Sequence, residues 1–423
     1  MTSGKLSFNR AIRLYDKMSV YLDKSKSRSA QISGRLVRAH MAKATAPGAK
    51  CAWTSVLFPA EVLRPFGIYA MTLEVIAGVF ATLGLSRTFL DAADESDVPM
   101  TMCSFHRMLM GISKKGFIGK PYVVGATSLL CDGNVKSFGE VAGEQNVPFL
   151  FIDIPHEESP EAIKYVKTQL EEMCKHLADL TGVTNYKEAL KEIAQNSNKA
   201  FALQRQFYNS RRSSDKNLFQ GHEIANFAFP AHFMLGSENL IKAMEARCND
   251  VEFGKKHNKF YKHSQFDEGT RRLMWLHIVP QYGTDMWKII DSGLKSKIVC
   301  DEYSPPYFED YDINDPLASI AKRLINHPSN GPITRRIEHI LKVAKDYKVD
   351  GMIHYSSWGC HQAAGNVHLL GKAIQDAGFK FLNINGDAVD QDNLSFEQHR
   401  TRLEAFLENL SMGTSKNLVE SEE

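Results

Sequence analysis

Two stretches of this chain alternate short apolar runs with segments of helical period, and no other feature restricts the fold as much. In the first, residues 52–58, 122–126 and 149–154 read as strands separated by helical segments. In the second, residues 273–278, 296–300, 351–355 and 379–384 read as strands, with helices predicted over 285–292, 334–345 and 362–377. Short apolar runs divided by helices are what a parallel sheet with crossover helices requires. The expectation is an α/β fold with two parallel-sheet domains, at 49–158 and 269–423. The halves look like a loose duplication in architecture, without a sequence repeat.

An N-terminal helical arm is predicted over 1–48, from a four-residue step through Leu14, Met18 and Leu22 that Ile32 and Leu36 resume. A helical connector is predicted over 159–268. It opens at Ser159-Pro160-Glu161, a cap residue followed by proline, and continues through helices over 185–208 and 230–246. A final helix over 395–410 places Leu403, Phe406, Leu407 and Leu410 on one face, before a polar tail from Met412.

The 423 residues suit two or three domains at roughly 100–200 residues each. A net charge of +2 and one short basic run, Lys24 to Arg28, recommend neither nucleic acid nor an acidic membrane as partner. The most apolar stretch, 68–85, is interrupted by Glu74, Gly78 and Gly84, so it reads as a buried helix and not a membrane span. The N-terminus lacks a signal-peptide pattern, and seven scattered cysteines do not form a secreted disulfide framework. These features predict a cytoplasmic protein. No Gly-x-x-x-x-Gly-Lys-Ser/Thr segment is present, so the chain is not expected to hydrolyse ATP itself.

Three cysteines stand in Met102-Cys103-Ser104-Phe105-His106-Arg107, Leu130-Cys131-Asp132-Gly133-Asn134 and Trp358-Gly359-Cys360-His361-Gln362. An isolated cysteine is ordinarily an inert thiol that packs like a small hydrophobe. These three, however, are predicted at strand-to-helix loops, and ligands of open α/β sheets collect at the carboxyl ends of strands. A helix N-terminus also lowers a thiol pKa, which favours metal binding. Zinc sites use tight Cys-x-x-Cys pairs, and none occurs. Three separately delivered thiolates suit an iron–sulfur cluster with one open iron better. Spacing alone leaves both readings standing.

Four blocks carry a resemblance. They are Phe58-Pro59-Ala60-Glu61-Val62-Leu63, Cys103-Ser104-Phe105-His106-Arg107, the stretch from Ser128 to Lys136, and Trp358-Gly359-Cys360-His361-Gln362 followed by Gly386-Asp387 and Thr401-Arg402-Leu403-Glu404-Ala405-Phe406. In order and spacing the chain resembles the cluster-bearing subunits of the 2-hydroxyacyl-CoA dehydratase and benzoyl-CoA reductase family, over about residues 50 to 410. The resemblance implies two flavodoxin-like domains with a [4Fe-4S] cluster between them, held by Cys103, Cys131 and Cys360. It implies an oxygen-sensitive enzyme that removes water from a 2-hydroxyacyl-CoA through a ketyl radical. Its implied partners are a second related subunit in a heterodimer and an ATP-dependent iron–sulfur activator that injects one electron.

Within that resemblance Glu61 and His106 are the expected catalytic residues. Glu61 would position the leaving hydroxyl or shuttle a proton; its alternative role is to favour the dipole of a first helical turn. His106 and His361 could tune the cluster or supply protons, or be ordinary surface or core histidines. Arg107 and Lys136 could meet CoA phosphates or be solvated helix charges. Trp358 is expected to shield the cluster loop. The chain reads Pro-Ala-Glu and then Arg64-Pro65-Phe66 where the family has other residues, so the substrate-facing wall is expected to differ. Cys51 and Cys300 leave open a double-cubane arrangement, while Cys174 and Cys248 are expected to pack. An ATP-dependent reductase subunit, and a non-catalytic scaffold or electron carrier, are the other readings.

Overall fold

The computed structural model of the chain describes residues 8, 12, 27–212, 214, 219–257, 266, 269–293, 295–393 and 395–412. Two parallel sheets organise it. The first joins β1 (Lys50–Thr54), β2 (Ile68–Thr72), β3 (Val123–Thr127) and β4 (Phe149–Ile152) in the order β2-β1-β3-β4. The second joins β5 (Arg271–Leu276), β6 (Ser296–Asp301), β7 (Gly351–Ser357) and β8 (Lys380–Gly386) in the order β6-β5-β7-β8. Both share the strand order of a flavodoxin-like sheet, so the α/β expectation with two parallel-sheet domains holds. In each, the chain leaves the first strand to one side and returns on the other. A crevice therefore opens at the carboxyl ends of β1 and β3, and again at those of β5 and β7. β3 and β7 are buried along their whole length, as parallel strands covered by helices must be.

The largest difference from the sequence reading lies at 68–85. Residues Ile68 to Thr72 pair in register with Lys50 to Thr54, and only Leu73–Thr82 is helical. Both pieces are apolar, with no glycine or proline at the junction. Pairing with β1 selects the strand, and local periodicity does not register a partner distant in sequence. β1 also ends sooner than expected, at Thr54, and Leu57 turns the chain with a φ of 63°. Pro59 is the N-cap of the 3₁₀ helix Ala60–Phe66.

The connector begins as predicted: the Ser159 hydroxyl accepts the Ala162 N–H at 3.0 Å and opens Pro160–Thr181, and Tyr186–Arg212 follows. The helix expected over 230–246 is two, Phe229–Met234 and Glu238–His257, parted by Gly236 at φ 76°. Residues 362–377 likewise divide into His361–Ala364 and Val367–Asp376, and 285–292 into a short turn, Met286–Lys288, and a π-helical turn, Ile289–Gly293. Ile333–Asp346 and Phe396–Met412 are helical as expected. The helix Pro316–Ile325 was not anticipated, although the Asp315 carboxylate caps it by accepting the Ala318 N–H at 3.2 Å. Of the arm, Arg28–Ala44 is helical, while Leu14, Met18, Leu22 and Lys24 lie outside the described residues, as does the tail beyond Met412.

One hydrophobic core packs the first sheet together with Leu170 and Leu177 of the connector and Ile320 and Leu324 of the helix Pro316–Ile325. The second half therefore reaches across to the first. Two smaller cores cover the faces of the second sheet. Among the described residues no helix is long and apolar enough to cross a membrane.

Candidate functional site

Cys131 follows the end of β3 and Cys360 follows the end of β7, each as the N-cap of a helix, Asp132–Gln145 and His361–Ala364. Each is preceded by a left-handed residue, Leu130 at φ 77° and Gly359 at φ 67°. Cys103 also caps a helix, Ser104–Lys115, but does not follow a strand. It lies in the long crossover between β2 and β3, after the helix Ser86–Asp94, so that part of the expectation is corrected. All three thiols nonetheless line one cavity of about 520 Å³, bounded by both halves and the connector. A Cβ at Gly359 would stand 2.6 Å from the Cys103 nitrogen and 2.8 Å from its Cα, so the two cysteine loops touch through backbone.

Burial dominates the thiols' acidity. It pushes Cys103 well above the ordinary range, Cys131 up to about 11, and Cys360 upward. Repulsion from Cys360 and Cys131 adds to the shift at Cys103. Backbone N–H groups do point at the sulfurs: that of Phe105 at Cys103, those of Gly133 and Asn134 at Cys131, and those of Gln362 and Ala363 at Cys360. Their pull downward is smaller than the cost of burying a charge, so the lowered pKa expected from the helix ends does not materialise. A thiol in so dry a place keeps its proton unless a cation takes the proton's place on the sulfur.

A second layer of side chains orients these sulfurs. His106 places Nε2 3.4 Å from the Cys131 sulfur and Nδ1 2.7 Å from the Ser137 hydroxyl. Ser137 donates its one proton to the Gly133 carbonyl at 2.7 Å, so it accepts from Nδ1–H. Burial lowers the His106 pKa to about 4, and the neutral ring presents Nε2 to the thiol as an acceptor. His277, at the end of β5 with φ 67°, brings Nε2 to 3.9 Å from the Cys360 sulfur. Its backbone N–H donates to Glu302 at 3.0 Å, and Glu302 is gripped by Arg336 through contacts of 2.5 and 2.9 Å. Beside Cys103, the Ser104 hydroxyl donates to Asp387 at 2.5 Å, tying the first half to the second.

Glu61 is 1% exposed and lines the same cavity. Its Oε1 accepts from Arg323 Nη2 at 2.6 Å and from the Tyr311 hydroxyl at 3.1 Å. The residue thus anchors a buried ion pair between the halves, more than an acid favouring a helical turn. Glu74 also faces the cavity. Its carboxylate accepts the Val56 N–H at 3.1 Å, and burial raises its pKa to about 7.

Arg107 is not a solvated helix charge: it is 2% exposed and paired with Asp94 at 2.5 Å. Lys136 and His361 are exposed and do not line the cavity. Trp358 is 54% exposed, with its indole N–H donating to the Met100 carbonyl at 3.3 Å, so it covers the Cys103 loop from outside. Cys51 and Cys300 are buried within strands and do not line the cavity; Cys174 and Cys248 pack in the cores. Sequence reasoning missed His277, Glu74, Arg323 and Arg336. Of these, Glu74 had a signal, as an acid alone in an apolar run.

Comparison with known proteins gives the same direction. The chain is 21% identical to the (R)-phenyllactyl-CoA dehydratase alpha subunit of Clostridium sporogenes, covering 85% of this chain and 89% of that protein. It is 20% identical to the lactoyl-CoA dehydratase subunit alpha of Anaerotignum propionicum, over 86% of this chain and 92% of that one. A third relative, the (R)-2-hydroxyglutaryl-CoA dehydratase subunit alpha of Acidaminococcus fermentans, is 20% identical over 68% of this chain and 60% of its own length. The model of the family described as 2-hydroxyglutaryl-CoA dehydratase, D-component, matches residues 55–410, which include all three cavity cysteines and both sheets' crevices. On that match, the chain belongs to the 2-hydroxyglutaryl-CoA dehydratase D-component family.

Proposed function

We propose that this chain is the iron–sulfur subunit of a 2-hydroxyacyl-CoA dehydratase, a hydro-lyase. It works with a second related subunit and takes its electron from an ATP-dependent iron–sulfur activator. The observation that carries the reading is the arrival of three thiols, from both halves, on the wall of one cavity at the sheet crevices. Three thiols on one wall, each met by backbone N–H groups, are the donor chemistry that an iron–sulfur cluster takes. Cys103, Cys131 and Cys360 would hold it, and when bound the [4Fe-4S] group would offer an open iron to the thioester carbonyl and pass one electron to the substrate.

The chain's own residues do the rest. The apolar cavity keeps water from the reacting carbons. His106 Nε2, 3.4 Å from the Cys131 sulfur, would be the acceptor for that thiol's proton on loading of a cluster. Glu74 is a carboxyl that can take or give a proton near neutral pH. Glu61, with its charge balanced by Arg323, is the group that positions the leaving hydroxyl. Iron and sulfide analysis of protein purified without oxygen tests the reading. About four irons per chain are expected, and fewer than about two would overturn it. With the partner and activator added, water elimination from a 2-hydroxyacyl-CoA, and not reduction of an aromatic ring, is the expected reaction.

A further inference from the structure

The cavity wall carries an unusual balance of charge. Among the described residues it holds three carboxylates, Glu61, Glu74 and Glu223, and two guanidiniums, Arg247 and Arg323. Arg323 is committed to Glu61 at 2.6 Å and to Tyr311 through Nε at 2.6 Å. Arg247 donates to the Phe227 carbonyl at 2.8 Å and lies 4.6 Å from the centre of that ring. Among the described residues no guanidinium pairs with Glu74, so the wall holds no surplus of positive charge. Two imidazoles of the wall, His232 and His327, are held neutral: burial lowers their pKa values to about 4 and about 3. The remaining surface is apolar and rich in rings. Phe201 and Phe308 stand 4.3 Å apart between centroids, Tyr307 stands 4.7 Å from Phe308, and Phe229 and Met244 line the same space.

Resting on the acyl-CoA reading above, we infer that the acyl group taken by this chain ends in an uncharged apolar side chain, aryl or branched alkyl, and not in a second carboxylate. An acyl group with its thioester beside the thiols extends its side chain into the rest of this cavity. A terminal carboxylate there would lose its water, find Arg323 already paired with Glu61 and Arg247 already donating to a backbone carbonyl, and face Glu74. A phenyl or isobutyl end would instead exchange water for ring and methyl contacts. The Glu61–Arg323 pair is the selecting element. By neutralising the guanidinium it withholds the fork that would otherwise grip a carboxylate in two places.

The test uses the full chain, reconstituted with iron and sulfide without oxygen, titrated calorimetrically with two product-like probes. These are the CoA thioesters of cinnamic acid and of glutaconic acid, with free CoA as reference. The cinnamoyl thioester is expected to bind at least about tenfold more tightly than the dicarboxylic one. Equal binding, or preference for the dicarboxylic thioester, overturns the inference while leaving the acyl-CoA reading intact. If neither thioester binds better than free CoA, the acyl-CoA reading itself falls, and the inference with it. At pH 8, above the Glu74 pKa of about 7, Glu61→Gln, which uncovers Arg323, and Glu74→Gln, which removes the unpaired acid, should each narrow the gap severalfold. A gap unchanged in the folded Glu74→Gln protein would show that the wall's charge is not the selector.

Discussion

The turn after β3 and the turn after β7 are built alike but tolerate change differently. Each runs from strand end to left-handed residue to cysteine to helix. In the first half the left-handed residue is Leu130, whose side chain lines the cavity; in the second it is Gly359, packed against the Cys103 backbone. The sulfurs also sit in different fields. Glu74 adds to the upward shift of Cys131, while Arg336 draws Cys360 down. The shared topology supplies two equivalent positions for a donor. The contact between halves makes one turn a wall of the site and the other a seam.

The largest expected effect separates cavity thiols from the rest. Cys103→Ser, Cys131→Ser and Cys360→Ser should each lose at least about half of the bound iron, measured per chain after anaerobic purification. Cys51→Ser, Cys300→Ser and Cys174→Ser should keep it. Loss of iron in the Cys51 or Cys300 variant would bring the strand cysteines into the donor set. Next comes the seam. Gly359→Ala adds a methyl group against fixed backbone at a left-handed position, and a destabilisation of about 2–4 kcal/mol is expected in urea unfolding. Unchanged stability would mean that the loops do not meet as described.

The third effect depends on pH. Glu74 holds its proton up to about 7, above its ordinary value of 4.5, so between these the folded state binds more proton than the unfolded. Its contribution is therefore full below about 4.5 and is lost as the pH rises through about 7. Glu74→Gln should flatten this decline by about 1–2 kcal/mol between pH 4.5 and 7, compared through urea midpoints. An identical slope in both proteins would remove Glu74 from the account. The smallest effect is at Leu130→Gly. Relief of a left-handed leucine, about 1–2 kcal/mol, offsets lost packing of similar size, so stability should move by less than about 1 kcal/mol.

The fold was legible where the signal is local. Ser159-Pro160 marked its helix because cap and proline act within one turn, and β3, β5 and β7 were marked by short apolar runs. β2 was not legible, because a strand that passes straight into a helix leaves no punctuation, and β1 alone decides its state. The three cysteines could be singled out from motif and position, but the placement of Cys103 after a helix could not. Arg107 read as a solvated charge because its partner, Asp94, sits on a separate helix. His277 and Arg336 act through a left-handed backbone and a buried carboxylate, neither of which spacing reveals.

The backbone contact between Gly359 and Cys103 has a mechanical consequence. Two sulfurs ride on one body and the third on the other, and the bodies meet with no slack at that point. Any swing of one half against the other must therefore change the triangle of sulfurs. Opening the molecule and loosening its grip on whatever the sulfurs hold are the same motion.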